Sequence, residues 1–173
     1  MIAILDLDDS ILDLETPLRG AFPLIRNLKG KQRYDIRPKI LSAIHEHNLL
    51  RNLKPFKEAV TLLKTLRENN VQIVFITARA WHPNSEQITR QNLHDNDLYY
   101  DDLIICDLTE SKGDFLNKND RYILSIEDNP YNHMNLKESG VENPYCRLTP
   151  AFDYDQIPIE ELIRCHSEIK VTS

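Results

Sequence analysis

Four short apolar runs constrain the fold of this chain more than any other feature of its sequence. They span residues 2–5, 71–76, 103–106 and 122–126, and a weaker fifth run covers 145–148. None of the four alternates apolar with polar residues, which is typical of strands covered on both faces. The pattern therefore predicts a parallel sheet between two layers of helices.

Helical periods separate these runs. Residues 56–69 place apolar side chains on one helical face, at Ala59, Leu62, Leu63 and Leu66. Residues 85–93 and 130–139 are further helix candidates, and a closing helix is predicted over 159–169. Strands that alternate with helices indicate an α/β fold of three layers, Rossmann-like, with right-handed crossovers.

One insertion interrupts the alternation directly after the first strand. About forty residues, 12–54, precede the next unit, whereas a βα loop usually has only a few. Two helices fit there, over 17–27 and 38–50, joined by a polar link at 30–35. We therefore predict a small helical cap at 13–53, and an α/β core formed by 1–12 and 54–173.

Composition excludes several classes of protein. Hydrophobic residues make up 41% and charged residues 28%, as in ordinary globular proteins, and no apolar run is long enough to span a membrane. Neither a signal peptide nor a CxxC pair is found, so we expect reduced thiols and a cytoplasmic location. The net charge of -6 and the scattered basic residues argue against long nucleic acid as a partner. A homodimer is left open.

The first strand ends in paired acids, Asp6 and Asp8. The carboxyl edge of an open α/β sheet is where such folds bind ligands. Side chains two residues apart on a strand share a direction, and crowded carboxylates attract Mg²⁺. Alone, the pair fits a solvated loop equally well.

Polar residues follow the next two strands. Thr77 precedes the backbone amides of Ala78 and Arg79, which together could bind phosphate oxygens. Lys112 comes after the third strand, and it would neutralise phosphoryl charge if it points inward. Each residue alone is more often a turn or a surface position.

The fourth strand runs into a second acidic pair, Glu127 and Asp128. Capping of the following helix is the competing interpretation for Asp128. The combination decides between the two: an acidic pair, a threonine, a lysine and a second acidic pair each follow a different strand. We therefore predict one phosphoryl-transfer site.

In this order the motifs resemble those of the haloacid dehalogenase superfamily, over residues 1 to about 150. The matching segments are D-L-D-D-S from Asp6, F-I-T ending at Thr77, Lys112, and E-D-N-P-Y-N from Glu127. Two departures are Asp9, where family members commonly have glycine, and Glu127 in place of the first aspartate. Asp9 is expected to add charge beside the site and to stiffen the segment that follows.

The resemblance implies a mechanism. Asp6 would be the nucleophile that forms an aspartyl-phosphate, and Asp8 would serve as general acid and base. Mg²⁺ would be held by Asp6, the Asp8 carbonyl and Asp128, while Glu127 would support the metal's ligands or waters, as Asn132 could. Thr77, Ala78, Arg79 and Lys112 would bind the phosphoryl group.

The inserted cap is similar to that of the 5′(3′)-deoxyribonucleotidase branch, which implies a small phosphorylated metabolite, a nucleoside monophosphate, as substrate. The cap residues that could contact it are Arg19, Phe22, Arg33, Tyr34 and His45. One alternative is a polynucleotide 3′-phosphatase. A second is a non-catalytic, receiver-like phosphate-binding module, whose phosphoacceptor would be Asp107.

Overall fold

The computed structural model describes residues 1–169, and their strands form one six-stranded parallel sheet and one small antiparallel pair. The strands are β1 (Ile2–Leu5), β2 (Leu12–Asp13), β3 (Lys54–Pro55), β4 (Gln72–Thr77), β5 (Asp102–Ile105), β6 (Tyr122–Glu127), β7 (Pro144–Arg147) and β8 (Leu162–Ile163). The helices are α1 (Glu15–Ala21), α2 (Lys31–Asp35), α3 (Arg37–Glu46), α4 (Lys57–Glu68), α5 (Ser85–Asp95) and α6 (Pro130–Glu138). The predicted fold class is confirmed.

The order of strands in the large sheet is β5-β4-β1-β6-β7-β8. The chain builds outward from β1 to β4 and β5, then returns to the other side of β1 with β6. Strands are thus added on one side of β1 first and on its other side afterwards. At such a switch point a crevice opens beyond the carboxyl end of the strand. The acidic segment 6–9 begins at that point.

Both faces of the sheet are covered by apolar packing. Ala3 and Leu5 of β1 belong to a large cluster that includes α4 and α5, whereas Ile4 belongs to a smaller cluster with Leu136 of α6. Phe75 and Val74 of β4 divide between the two clusters in the same way. Both faces of β1 and β4 are therefore buried, which is why their apolar runs show no polar alternation.

Helix α4 confirms the predicted apolar face, since all four of its spaced apolar side chains are buried. None of the helices in residues 1–169 combines the length and the apolar character that crossing a membrane requires.

The segment 13–53, called the cap below, starts and ends at the antiparallel pair of β2 and β3. Its helices differ from the predicted ones. Helix α1 ends at Ala21, and Pro23 opens a separate 3-10 turn because proline has no N–H for a continuing helix. The polar link contains α2, and a 3-10 turn, Leu49–Arg51, follows α3 after Asn48 adopts a positive φ of 51°.

The closing helix predicted over 159–169 is wrong. The structure has two 3-10 turns there, Ile159–Glu161 and His166–Glu168, on either side of β8. Strand β8 pairs with β7 at the edge of the sheet, and Ile159 is 85% exposed, so no helical apolar face is buried. A helix this short is only marginally stable without a buried apolar face, whereas β8 extends an existing sheet.

Candidate active site

Asp6 and Glu127 are brought side by side by the pairing of β1 with β6. The register aligns Leu5 with Ile126, so the next residue of each strand meets at the sheet edge. The backbone N–H of Asp6 donates to the carbonyl of Ile126 at 3.0 Å. The position of Asp6 therefore follows from sheet register rather than from a loop conformation.

Lys112 points inward and links these two carboxylates. Its Nζ lies 2.5 Å from Asp6 Oδ1 and 2.5 Å from Glu127 Oε1, and its side chain is 1% exposed. Burial alone would lower the pKa of Lys112, but the charges of Asp6 and Glu127 outweigh burial and raise that pKa. The sequence left open whether Lys112 lies at the surface or in the site. In the structure it lies in the site.

Three carboxyl groups converge around this lysine. Oxygen atoms of Asp6, Glu127 and Asp128 lie within 4.8 Å of one another. Burial raises the pKa of Glu127 to about 8. Burial also raises the pKa of Asp6, with Lys112 opposing, and it raises that of Asp128 together with the nearby charges of Asp6 and Asp9. The three buried carboxyl groups are therefore difficult to ionise together with Lys112 as their nearest cation.

This donor set fits a divalent cation that prefers oxygen ligands, such as Mg²⁺. Glu127 Oε2 is buried and accepts no hydrogen bond within residues 1–169, although Asn132 lies close by. The backbone carbonyl of Asp8 likewise accepts none within these residues. Direct binding by Asp128 and a supporting role for Glu127 remain predictions.

Thr77, the last residue of β4, offers a hydroxyl to the same region. Its Oγ1 is buried and has no hydrogen-bond partner in the described part of the chain. The backbone N–H groups of Ala78 and Arg79 donate to no acceptor within residues 1–169. A buried hydroxyl without a partner costs about 1–3 kcal/mol, which a bound oxyanion would offset.

The side chain of Arg79, expected at the phosphate, contacts Asp8 instead. Arg79 Nε donates to Asp8 Oδ2 at 2.8 Å and Nη2 donates to Asp8 Oδ1 at 2.5 Å. The third nitrogen, Nη1, donates to the hydroxyl of Thr89 at 3.0 Å. Thr89 lies on α5, and nothing in the local sequence marked it as part of the site.

Asp9 supports the start of the cap. Its Oδ1 accepts hydrogen bonds from the backbone N–H groups of Leu14, at 3.0 Å, and Glu15, at 2.7 Å. Its φ of 57° lies in the left-handed region, which explains why glycine would also suit this position. Burial raises the pKa of Asp9 to about 7. The charge expected beside the site is thus directed at the first turn of α1.

Two of the cap cations proposed for substrate contact are engaged within the cap. Arg33 forms a bidentate pair with Glu15, at 2.6 and 2.7 Å, and is 5% exposed. Arg19 Nε lies 2.5 Å from Glu15 Oε1. Arg33 also donates to the carbonyls of Leu28 and Ile25. Arg33 therefore holds the cap together and is not free to bind substrate.

The other three cap candidates have different environments. Phe22 packs against the core, and Tyr34 is 69% exposed. His45 Nδ1 lies 3.2 Å from Nε2 of His82, a residue of the loop after β4. His82 was not identified from the sequence, and it connects the cap directly to the sheet layer.

Comparison with known proteins supports the fold at low sequence identity. No family model matches the chain, and no curated protein matches it. Among solved structures, a Thermotoga maritima protein assigned as a beta-phosphoglucomutase is 14% identical, with 97% of this chain and 96% of that one covered and a TM-score of 0.63. A HAD hydrolase of family IA, variant 3, from Entamoeba histolytica is 17% identical, with coverages of 99% and 96% and a TM-score of 0.61.

The Class C acid phosphatase from Bacillus anthracis is also similar, at 17% identity and a TM-score of 0.54, over 76% of this chain and 52% of that one. The neighbours thus include hydrolases of the haloacid dehalogenase superfamily, whose fold this chain shares. The narrower likeness to deoxyribonucleotidases remains a prediction.

Proposed function

We propose that this protein is a Mg²⁺-dependent phosphomonoesterase that acts through a phosphorylated Asp6. The observation that carries the proposal is the convergence of Asp6, Lys112, Glu127 and Asp128 at one sheet edge, beside the unpartnered hydroxyl of Thr77. A nucleophilic carboxylate, a buried cation and a free donor are the parts that phosphoryl transfer requires.

The reaction follows from these positions in two steps. A carboxylate oxygen of Asp6 attacks phosphorus, the bond from phosphorus to the ester oxygen breaks, and Asp8, which must enter this step protonated, gives its proton to that oxygen. Water then attacks the phosphorus of the aspartyl-phosphate, Asp8 takes a proton from it, and inorganic phosphate leaves with Asp6 regenerated. Thr77 and the amides of Ala78 and Arg79 donate to the phosphoryl oxygens, and Lys112 balances their charge.

When bound, Mg²⁺ would orient the phosphate and reduce the repulsion between it and the carboxylates. Asp6, Asp128 and the Asp8 carbonyl would hold it, and Glu127 would keep Lys112 and the neighbouring ligands in place. The raised pKa values of the acidic cluster support a cation site, because a nearby cation favours the ionised carboxylates.

We further propose a small phosphorylated metabolite, a nucleoside monophosphate, as substrate. The cap begins within a few residues of Asp6, so a substrate at Asp6 would lie next to the cap. The net charge of -6 disfavours a long polynucleotide. Because Arg19 and Arg33 are paired with Glu15, recognition from the cap would depend on other groups, of which Tyr34 is the exposed aromatic one.

Phosphate release tests this function. The panel should contain nucleoside 5′- and 3′-monophosphates, sugar phosphates and a 3′-phosphorylated oligonucleotide, each with Mg²⁺ and with EDTA. We expect Mg²⁺-dependent turnover that is fastest on a mononucleotide. Faster turnover of the oligonucleotide would favour the 3′-phosphatase alternative, and no turnover of any ester would favour a phosphate-binding module.

Two variants identify the nucleophile in the same assay. Asp6→Asn should abolish turnover, because an amide oxygen is too weak a nucleophile to attack phosphorus. Asp120→Asn, an exposed loop position, is the matched control and should retain wild-type rates. Full activity of Asp6→Asn would mean that another group attacks.

A further inference from the structure

Arg79 is a buried arginine, and each of its three guanidinium nitrogens donates to a protein acceptor. Its side chain is 1% exposed, and its three nitrogens contact Asp8 Oδ1, Asp8 Oδ2 and the Thr89 hydroxyl. A group that binds substrate phosphate needs donors directed at the substrate. The side chain of Arg79 directs two of its nitrogens at Asp8 and the third at Thr89.

The pairing with Asp8 has the geometry that fixes a carboxylate most strictly. Two parallel N–H···O bonds set both the position and the plane of the Asp8 carboxyl group, which a single lysine ammonium cannot do. The Asp8 side chain remains 25% exposed, whereas its partner is sealed from solvent. Both oxygens of Asp8 therefore contact Arg79, while part of the Asp8 carboxyl group stays open to solvent.

Thr89 in turn fixes Arg79. The threonine is completely buried in α5, and its hydroxyl accepts from Arg79 Nη1 at 3.0 Å. Helix α5 is itself anchored, since Asn92 Nδ2 donates to the carbonyls of Arg51, at 2.9 Å, and Leu53, at 3.0 Å. A chain of contacts thus runs from α5 through Arg79 to Asp8.

We propose that Arg79 is a positioning residue for the general acid Asp8, and that Thr89 holds Arg79 in place. The inference rests on the proposed phosphomonoesterase function. It assigns the Arg79 side chain to proton transfer at the leaving oxygen rather than to binding of the phosphate, and it gives Thr89 a role in the same step.

The test compares two phosphate esters whose leaving groups differ in their need for a proton. The oxygen of a nucleoside 5′-monophosphate must be protonated as it leaves, whereas p-nitrophenolate leaves without help. The variants are Arg79→Lys, which keeps the charge but cannot form the bidentate pair with Asp8, and Thr89→Val, which keeps the shape but loses the hydroxyl. The matched control is Arg121→Lys, because Arg121 forms an exposed bidentate pair with Glu142 at 2.7 and 3.0 Å.

We expect Arg79→Lys to lower kcat/KM for the nucleotide by about 100-fold more than for p-nitrophenyl phosphate, a typical contribution of a general acid. Thr89→Val should shift the same ratio in the same direction by about tenfold, and it serves as the test if Arg79→Lys does not fold. The inhibition constant of inorganic phosphate should stay unchanged in both variants. Arg121→Lys should match the wild type on both esters.

Equal losses on the two esters would overturn the inference. If inorganic phosphate also bound more weakly, the Arg79 side chain would be a phosphate ligand. If phosphate binding were unchanged, Arg79 would have a general structural role. No turnover of either ester by the wild type would instead remove the proposed function, and this inference with it.

Discussion

At the scale of single residues, Lys112 is the side chain on which the site most depends. It is the buried cation between Asp6 and Glu127, at 2.5 Å from each. Two carboxylates that share one buried cation are stable only while the cation is present, because an unpaired buried charge is strongly destabilising. Lys112 therefore belongs to the fold as well as to the chemistry.

Lys112→Met should lower the free energy of unfolding of the metal-free protein at about pH 10 by about 3–5 kcal/mol. Glu127, whose pKa is already raised to about 8, would then take up a proton at a still higher pH. A carboxyl group whose folded pKa is raised binds more protons when folded, so stability falls as pH rises through that range. The deficit of the variant should therefore shrink as pH falls from about 10 to about 7, because Glu127 becomes protonated in both proteins over that range.

Urea unfolding in EDTA at both pH values measures this effect. Lys118→Met, at an exposed loop position, is the control and should unfold like the wild type. A deficit for Lys112→Met that does not change with pH would contradict the account of the buried carboxylates.

Side-chain partners were the part of the site that the sequence could not supply. The order of motifs placed Asp6, Thr77, Lys112 and Asp128 at strand ends, because apolar runs locate strands and parallel strands share an edge. The sequence does not tell which way a guanidinium points. The pairing of Arg79 with Asp8 depends on the orientation of α5, and that of Arg33 with Glu15 depends on the packing of the cap.

At the scale of elements, the last described segment braces the loop after β1. His166 is 3% exposed, and its Nε2 lies 2.6 Å from the carbonyl oxygen of Ser10. Arg147, whose guanidinium stacks on Phe56 at 3.8 Å, donates to the carbonyl of Asp9 at 2.7 Å. The segment between Asp8 and β2 is therefore held from the core side.

The contribution of His166 to the free energy of unfolding should fall in acid. Burial lowers the pKa of His166 to about 4, from an ordinary value of 6.5. Between these values the unfolded chain binds more protons than the folded one, so stability falls as pH falls from about 6.5 towards 4. The wild type should lose about 2 kcal/mol at pH 5 relative to a variant that does not titrate there.

His166→Gln is that variant, since its amide nitrogen can take the place of Nε2 and donate to Ser10. Urea unfolding of both proteins at pH 7 and pH 5 gives the difference in their pH dependence. His94→Asn, an exposed histidine on α5, controls for the general loss of a histidine. If wild type and His166→Gln lost stability in parallel, the buried neutral histidine would not be the cause.

Elements were predicted well where apolar runs decide them and poorly where packing at an edge decides them. The four strong strands were predicted from apolar runs without polar alternation, and α4 was predicted from one apolar helical face. The region 159–169 has apolar residues at Ile159, Leu162 and Ile163 that fit a helical period. Leu162 and Ile163 instead form β8 by pairing with the free edge of β7. This pairing is a tertiary contact, which a local helical period does not show.

At the scale of the whole molecule, the acidic residues are concentrated at one end of the sheet. Asp6, Asp8, Asp9, Glu127 and Asp128 lie there, and the ion pairs among them involve two buried cationic side chains, Lys112 with Asp6 and Glu127, and Arg79 with Asp8. Divalent cation binding would relieve this excess only in the folded state, where the carboxylates are brought together. Folding and metal binding should therefore be coupled.

Mg²⁺ should raise the thermal unfolding midpoint, because a ligand at 100 times its Kd stabilises a protein by about 2.7 kcal/mol. Asp128→Asn should lose most of that shift, as it removes a ligand and its charge. Asp120→Asn should keep it. An unchanged Mg²⁺ shift in Asp128→Asn, measured by calorimetry, would place the cation elsewhere.

The central claim is that the carboxylate of Asp6 carries the phosphoryl group during turnover. Rapid mixing with a substrate and Mg²⁺, acid quenching and mass spectrometry of the peptides measure this directly. We predict the added mass of one phosphoryl group on Asp6 in the wild type and its absence in Asp6→Asn. Phosphate release without a label on Asp6, or a label on Asp107 instead, would contradict the account.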